Sequence, residues 1–421
     1  MPDRKADALT EDRPMTDELQ AEYELKFGTL GEGAEGEEDL PQPTLQGLSE
    51  AVVTGTDWTA ETILRQLERG NIKLDPEFQR RDAWRAQRKS RFIESLIVGL
   101  PIPQLVLAED KDRRGSYIVI DGKQRLLSLR QFAAREGDHN GYTPLRLQGL
   151  QLRADLNGKT LSDMERDPDC ENELRNFQNQ PIRTVVIKGW PEENILYLIF
   201  LRLNTASVQL SPQELRQALH PGPFVQYANE RSGRMVGLQQ IFKTSEPDFR
   251  MRDVELFVRY FAFRNFLPLY DGNLKDFLDL TCEKLNHAWD KGQTKIEREA
   301  DDLESAMDAT FAIFGEDGAF RKWEGAGYEG RFNRAVFDIM VFYFTNTAIR
   351  KHALASRRRT GVQADFKALC EENQEFLRSI ETSTKSLQAT ANRLNVWGNS
   401  LKRRLRTALD IPTLQGNRIK L

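Results

Sequence analysis

Ile118-Val-Ile-Asp121-Gly122-Lys123-Gln124-Arg125-Leu126 is the stretch on which the fold turns. A short apolar run ends in Asp-Gly, and a helix-forming segment begins at once, so a buried strand runs directly into a helix. Such a junction presents unpaired backbone N–H groups and the positive end of the helix dipole, which together attract an anion. Gly122 lets a ligand approach the backbone closely. Arg125 can grip a phosphate with two parallel hydrogen bonds, and Lys123 adds charge. Asp121 can hold a magnesium ion or orient water, and Gln124 can position that water. The competing reading is structural: Asp121 caps the helix, while Gln124 and Arg125 are solvated.

The flanking sequence alternates helix and strand. Trp58, Ile63, Leu64 and Leu67 recur at helical spacing, with Thr59 as the cap. Gly70–Pro76 reads as a turn with a short extended piece. Arg85–Leu100 is an amphipathic helix stopped by Pro101 and Pro103. Gln104–Leu107 and Tyr117–Ile120 read as buried strands, Gln124–Ala134 as a helix and Arg183–Lys188 as another strand. Helices follow at Glu192–Leu203 and Leu210–Leu219, and His220-Pro-Gly-Pro breaks the chain. Beyond it the 3.6-residue period dominates over Val254–Phe266, Leu274–Trp289, Ala300–Phe314, Asn333–Ala348 and Asn373–Leu394. There is no internal repeat. The expectation is an α+β protein: an α/β domain over residues 51–222, an all-helical domain over 223–411 and a short tail over 412–421.

With 421 residues, 39% of them hydrophobic, the chain can build two or three cores. The first 50 residues hold 14 Asp and Glu against 4 Lys and Arg; the remaining chain holds 50 against 56. Residues 1–48, with Gly31-Glu-Gly-Ala-Glu-Gly-Glu-Glu38, read as an acidic disordered leader ahead of a mildly basic folded part. That balance suits a nucleic-acid partner, and equally a solvated surface. Cys170, Cys282 and Cys370 are widely spaced and odd in number, which excludes a disulfide framework and a CxxC metal site. No apolar run reaches membrane-span length and the N-terminus has no secretory pattern, so a cytoplasmic protein is expected.

Two further blocks flank the central one. Upstream stands Asp75-Pro-Glu-Phe-Gln79-Arg80-Arg-Asp-Ala-Trp84, followed by Ile93-Glu-Ser-Leu-Ile-Val-Gly-Leu-Pro-Ile-Pro103. Downstream stands Ile199-Phe-Leu-Arg202-Leu-Asn204-Thr205-Ala-Ser-Val-Gln-Leu210-Ser-Pro-Gln-Glu214-Leu-Arg216. In this order and spacing they closely resemble the N-terminal domain of GmrSD-type modification-dependent restriction enzymes, which is similar in fold to the ParB/sulfiredoxin-like group. The resemblance runs over roughly Gly70–Leu219. It implies nucleotide binding, and nucleoside-triphosphate hydrolysis with magnesium, at an Asp-Gly-Gln-Gln-Arg motif. Matched by position, the implied site is Asp121, Gly122, Gln124 and Arg125, with Gln79 and Arg80 from the first block and Arg202, Asn204 and Thr205 from the third. Lys123 stands where the family has its first Gln, a change that suits phosphate but not water orientation by an amide.

Restriction systems of this type often join this domain to an HNH nuclease. The four histidines here, His139, His220, His287 and His352, form no such cluster, and there is no Walker A loop, HExxH or Gly-x-Ser-x-Gly. Arg350-Lys351 and Arg357-Arg358-Arg359 lie near the end of one helix, and Lys402-Arg403-Arg404 with Arg406 near the C-terminus. These are candidate DNA contacts, against solvated helix ends favoured by the dipole. Three functions compete. The first is a magnesium-dependent NTP-hydrolysing regulator or sensor in a bacterial anti-phage or restriction-like system, acting on or near DNA. The second is a non-enzymatic DNA-binding adaptor that recruits a separate nuclease. The third is a metal-dependent nicking nuclease built on Asp121 with Asp75, Glu77 and Glu94. Homo-oligomerisation is open in each, and no membrane partner is expected.

Overall fold

The computed structural model describes residues 49–74, 84–138, 141–203, 211–382 and 384–421. Among them the chain forms two compact units. One comprises Ala306–Thr413; the other comprises the described residues up to Ser305 together with Leu414–Leu421. The architecture is α+β, with a small sheet in the N-terminal part and helices after it.

Four strands form the sheet: β1 (Val52–Thr59), β2 (Leu105–Glu109), β3 (Tyr117–Asp121) and β4 (Pro181–Lys188), in the order β1-β4-β2-β3. β2 lies parallel to β4, and the two other pairings are antiparallel. Because β2 is covered on both faces, it reads as a continuous apolar run rather than an alternating one. Leu105 and Leu107 enter one core with α1 (Ala60–Glu68), α2 (Ala86–Ile97) and α3 (Lys123–Ala133), through Ile63, Ile93 and Leu129. Val106 and Ala108 enter a second core on the opposite face, with α6 (Glu193–Leu203) and α7 (Pro212–Leu219), through Leu196, Phe200 and Leu215. Short helices α4 (Leu161–Arg166) and α5 (Glu171–Asn179) complete the first face, where Phe177 meets Phe132 edge-on at 5.3 Å.

Strands β2, β3 and β4 and helices α2 and α3 stand where the sequence places them. Trp58 does not begin a helix. It belongs to β1, opposite Ile182 of β4, because Val52-Val-Thr-Gly-Thr-Asp-Trp-Thr59 is rich in β-branched residues and finds a sheet edge. Thr59 is nevertheless the cap of α1, its hydroxyl accepting from the Thr62 N–H at 3.2 Å.

Helices α8 (Pro223–Ser232), α9 (Val236–Phe242) and α10 (Arg252–Phe266) follow. α11 (Leu274–Phe314) then runs for 41 residues, merging two separately expected stretches. The polar segment between them is built from good helix formers and contains no proline, so nothing interrupts the ladder. Two other expected helices are divided. Asn346 accepts from the N–H groups of Ala348 and Ile349 and starts α13 (Thr347–Leu354) after α12 (Arg334–Phe344). Ser386 likewise starts α16 (Leu387–Leu405), separate from α15 (Gln374–Glu381). With α14 (Ser356–Glu372), these pack round a buried Trp397, which Phe366 meets edge-on at 5.5 Å. No helix among the described residues is long and apolar enough to cross a membrane.

α6 and α7 meet α11 through a buried cluster of charged and polar groups. Asp279 accepts from Arg216 Nε at 2.6 Å, from Lys275 Nζ at 2.8 Å and from the Tyr197 hydroxyl at 3.4 Å. His220 lies 3.8 Å from the same carboxylate and 3.4 Å from both Glu193 and Glu283. Arg216 is fully buried.

A second buried cation lies between α2 and α3, where Lys89 Nζ donates to Gln131 Oε1 at 2.6 Å. Burial lowers its pKa from 10.5 to about 8. Between those two values the unfolded chain holds a proton that the folded chain lacks, so stability rises with pH across the window. Lys89→Met is expected to abolish that rise, worth roughly 2 kcal/mol. Urea unfolding at pH 7.5 and pH 10 checks it; an unchanged difference in the variant would refute the assignment.

Candidate functional site

β3 ends one residue early for its partner. The β2–β3 register slips between Val106 and Leu107, so Asp121 faces Val106 and leaves the ladder at an angle. Gly122 then takes φ 101° and ψ 15°, in the left-handed region, as the N-cap of α3. A Cβ there would lie 2.3 Å from Leu105 Cδ2, so glycine is required both by backbone and by packing. The first bond of the helix, Leu126 N–H to Gly122 O, is 3.0 Å.

The N-cap residue Gly122 has no side chain with which to cap α3. Asp121 does not fold over the helix terminus; its Oδ2 accepts from Arg125 Nη2 at 2.9 Å. The same nitrogen donates to Gln104 O at 3.0 Å. Arg125 Nε is buried with no hydrogen-bond partner. The Asp121 side chain is 39% exposed and that of Arg125 is 12% exposed, so the pair forms the rim of the turn with the carboxylate outermost. Gln124 reaches sideways, its Oε1 accepting from the Trp84 N–H at 3.3 Å just ahead of α2. Asp121 and Arg125 therefore pair beside Gly122, while Gln124 is engaged with the backbone at Trp84.

Lys123 departs from its neighbours. Its ammonium turns into the protein and pairs with Glu214 of α7, both side chains almost wholly buried. Glu214 is fixed for this contact by a reciprocal cap with Ser211: its Oε2 accepts from the Ser211 N–H at 2.7 Å, and the Ser211 hydroxyl accepts from the Glu214 N–H at 3.2 Å. The positive charge expected to face phosphate is thus compensated inside the fold. Glu214 was legible as a capping box in Ser211-Pro-Gln-Glu214, but its pairing with a residue 91 positions away was not.

Arg202 is exposed in the last turn of α6. Gln79, Arg80, Asn204 and Thr205 lie outside the described residues, as do Asp75 and Glu77. Glu94, a carboxylate of the nicking reading, is committed elsewhere. It is buried and accepts from the N–H groups of Gln151, Leu152 and Arg153 at 2.7–3.2 Å, anchoring the loop before α4. Among the described residues no group of three or more His, Cys, Asp and Glu is arranged to hold a metal.

Of the basic clusters, Arg357, Arg358 and Arg359 stand in the first turn of α14, and Lys402, Arg403 and Arg404 in the last turn of α16. The three cysteines are buried, and none forms a disulfide among the described residues.

Comparison with known proteins agrees with this geometry for one segment. No curated protein and no solved structure matches the chain. Residues 61–221 match the family model described as GmrSD restriction endonuclease, N-terminal domain, which is less than half of the chain. The match takes in the Asp121–Arg125 turn, both sheet-covering helix layers and the Lys123–Glu214 pair. Over residues 61–221, then, this chain is similar to the N-terminal domain of the GmrSD restriction endonucleases.

Proposed function

We propose that the Asp121–Arg125 turn binds and hydrolyses a nucleoside triphosphate, and that the protein is a nucleotide-dependent regulator in a restriction-like defence system. The observation that carries this reading is the uncapped start of α3. Its N-cap is a glycine with no side chain to cap the first N–H groups, and the adjacent Asp121 carboxylate is held aside by Arg125. A purely structural turn of this type would use Asp121 as the cap.

Charge bears on what arrives. Asp121 with Arg125, and Lys123 with Glu214, leave the turn nearly neutral. A triphosphate therefore brings charge that the turn does not balance, which favours entry as a magnesium complex. Such an ion takes one or two carboxylates plus phosphate oxygens, and the exposed Asp121 fits that donor role. The ion would supply charge neutralisation of the phosphates. The protein's own part is distinct. Arg125 exchanges its bond to Asp121 for a phosphate oxygen, the α3 N–H groups orient the anion, and Gln124, held by Trp84, presents its amide towards the same space.

An adaptor without turnover is the second reading, favoured by the two bonds that Arg125 makes with no ligand present. Phosphate release from ATP, GTP, CTP and UTP with magnesium, with and without duplex DNA, separates the two. Arg125→Ala is expected to lower release by about 100-fold or more, in the range found for loss of one transition-state donor. A thermal melt of the variant establishes that it is folded. No release by folded wild-type protein with any nucleotide would overturn the hydrolytic reading and leave the adaptor.

A further inference from the structure

The four-stranded sheet has two outer strands, and among the described residues the chain covers only one of them. Alongside β3, the Tyr117 N–H donates to Asn71 O at 2.6 Å and the Lys73 N–H to Tyr117 O at 3.0 Å. β1 has β4 on one side, and on its far side no described residue bonds to the backbone of Val52–Trp58. Such an edge offers a row of N–H and C=O groups to any strand that arrives. Edges are commonly blunted by lysine, proline, a bulge or short length. β1 has none of these: it is eight residues long, holds Asp57 as its one charge and keeps a single register against β4. Val52 and Val53 point to opposite faces and are 57% and 62% exposed, so both faces of the edge begin apolar.

Charge on one face decides what fits. Asp57 stands opposite Arg183 of β4 and accepts from its Nη1 at 3.2 Å, both side chains being more than half exposed. The same guanidinium reaches onto β1 at Gly55, where a Cβ would stand 2.8 Å from Nη2. A glycine inside a strand weakens it and marks close approach of another group; here it lets a cation lie over the edge strand. In an antiparallel strand alternate residues turn their backbone groups outward, and two copies of β1 present the same set. A two-fold axis relating them therefore passes through a residue position. At Asp57 it would oppose two carboxylates, at Thr54 it would pair only Val52–Thr56, and at Gly55 it would set Asp57 against Val53. At Thr56 it sets Thr56 against Thr56, Thr54 against Trp58, and Asp57 against Gly55, where the other copy's Arg183 lies.

We propose that β1 is a dimer interface, occupied by β1 of a second copy of this chain. The two strands pair antiparallel about an axis at Thr56 and join the two sheets into one. Asp57 of each copy meets Arg183 of the other, so two ion pairs flank the axis, and the facing threonines form a favourable cross-strand pair. The surface is self-complementary in shape, hydrogen bonding and charge, as a two-fold interface must be. This inference is independent of nucleotide turnover.

The test is sedimentation velocity of the full chain over a concentration series, in which the wild type is expected to reach twice the mass of one chain. Asp57→Arg opposes cations at both contacts, and Arg183→Asp opposes anions. Each is expected to raise the dimer Kd by about tenfold or more. Mixed in equal amounts, the two variants bring opposite charges together between chains, while positions 57 and 183 still repel within each chain. Dimer is therefore expected to return in the mixture and in neither variant alone, an outcome that a role within one chain would not produce. Val53→Lys, at an exposed position outside both contacts, is expected to weaken the dimer by blunting the edge. Thermal melts establish that each variant is folded. A wild type that stays monomeric up to about 100 μM, two decades above a micromolar Kd, would overturn the proposal. So would a dimer that none of the variants weakens, which would lie on another surface, or a mixture that stays as monomeric as its components.

Discussion

Asp279→Ala is expected to destabilise the sheet-containing unit by about 3–5 kcal/mol, the range for removing one partner of a buried ion pair. Asp279 is the carboxylate on which Arg216, Lys275 and Tyr197 converge, and Arg216 has no solvent to turn to. Removing the anion leaves two buried cations facing each other. The double variant Arg216→Met/Asp279→Leu is expected to recover at least half of the loss, because much of the cost lies in stranding the charge. Urea unfolding of the three proteins measures it. A loss below about 1 kcal/mol in Asp279→Ala would show that the cluster is hydrated.

The same cluster sets a pH window. Burial pulls the His220 imidazolium down, but the nearby carboxylates of Asp279 and Glu193 outweigh this, so it titrates above its ordinary 6.5. That contribution is complete below pH 6.5 and is lost as pH rises through the folded value. Burial pushes Asp279 up, yet the charge of Arg216, the nearby His220 ring and the charge of Lys275 hold it well below its ordinary 3.8. Its contribution is present above pH 3.8 and is lost only as pH falls towards the folded value. Stability from the cluster is therefore greatest between these limits, and Asp279→Ala flattens both limbs.

Gly122→Ala is expected to cost about 2–4 kcal/mol and to abolish function of the turn. A left-handed backbone costs a non-glycine residue roughly 1–2 kcal/mol. The new methyl group would also meet Leu105 Cδ2 at 2.3 Å, and Leu105 is buried in the first core with little room to yield. Overpacking of that kind adds about 1–3 kcal/mol. The two causes separate in a double variant. Leu105→Ala in the Gly122→Ala background should relieve the overlap but not the backbone strain, so the effects are not additive. A full loss that is independent of Leu105 would refute the packing part. A loss under about 1 kcal/mol would refute both.

Local chemistry made the centre of the fold readable. Ile118–Arg125 announces a strand, a forced glycine and a helix within eight residues, and each finds its place. Thr59 was readable as a cap for the same reason. What escaped depends on partners distant in the chain. β1 is a strand because β4 offers it an edge, and Trp58 follows that pairing rather than its own helical spacing. Lys123 has the composition of a phosphate ligand, and only the approach of α7 turns it to Glu214. The acid–base cluster at Asp279 joins four residues from α6, α7 and α11, and nothing in their spacing reveals it. The arginine clusters were visible, but not that Arg357–Arg359 stand at a helix start or that Arg404 lies against α14.

The 41-residue α11 has a practical corollary. Ser305 and Ala306, the last and first residues of the two compact units at that border, both fall within this continuous helix. A nick or truncation there would expose four carbonyls on one fragment and four amides on the other, all previously satisfied. Proteases, which favour exposed loop tips, have no such tip at that border. The intact chain is accordingly the unit of purification and assay, and a domain dissection guided by compactness alone would cut through secondary structure.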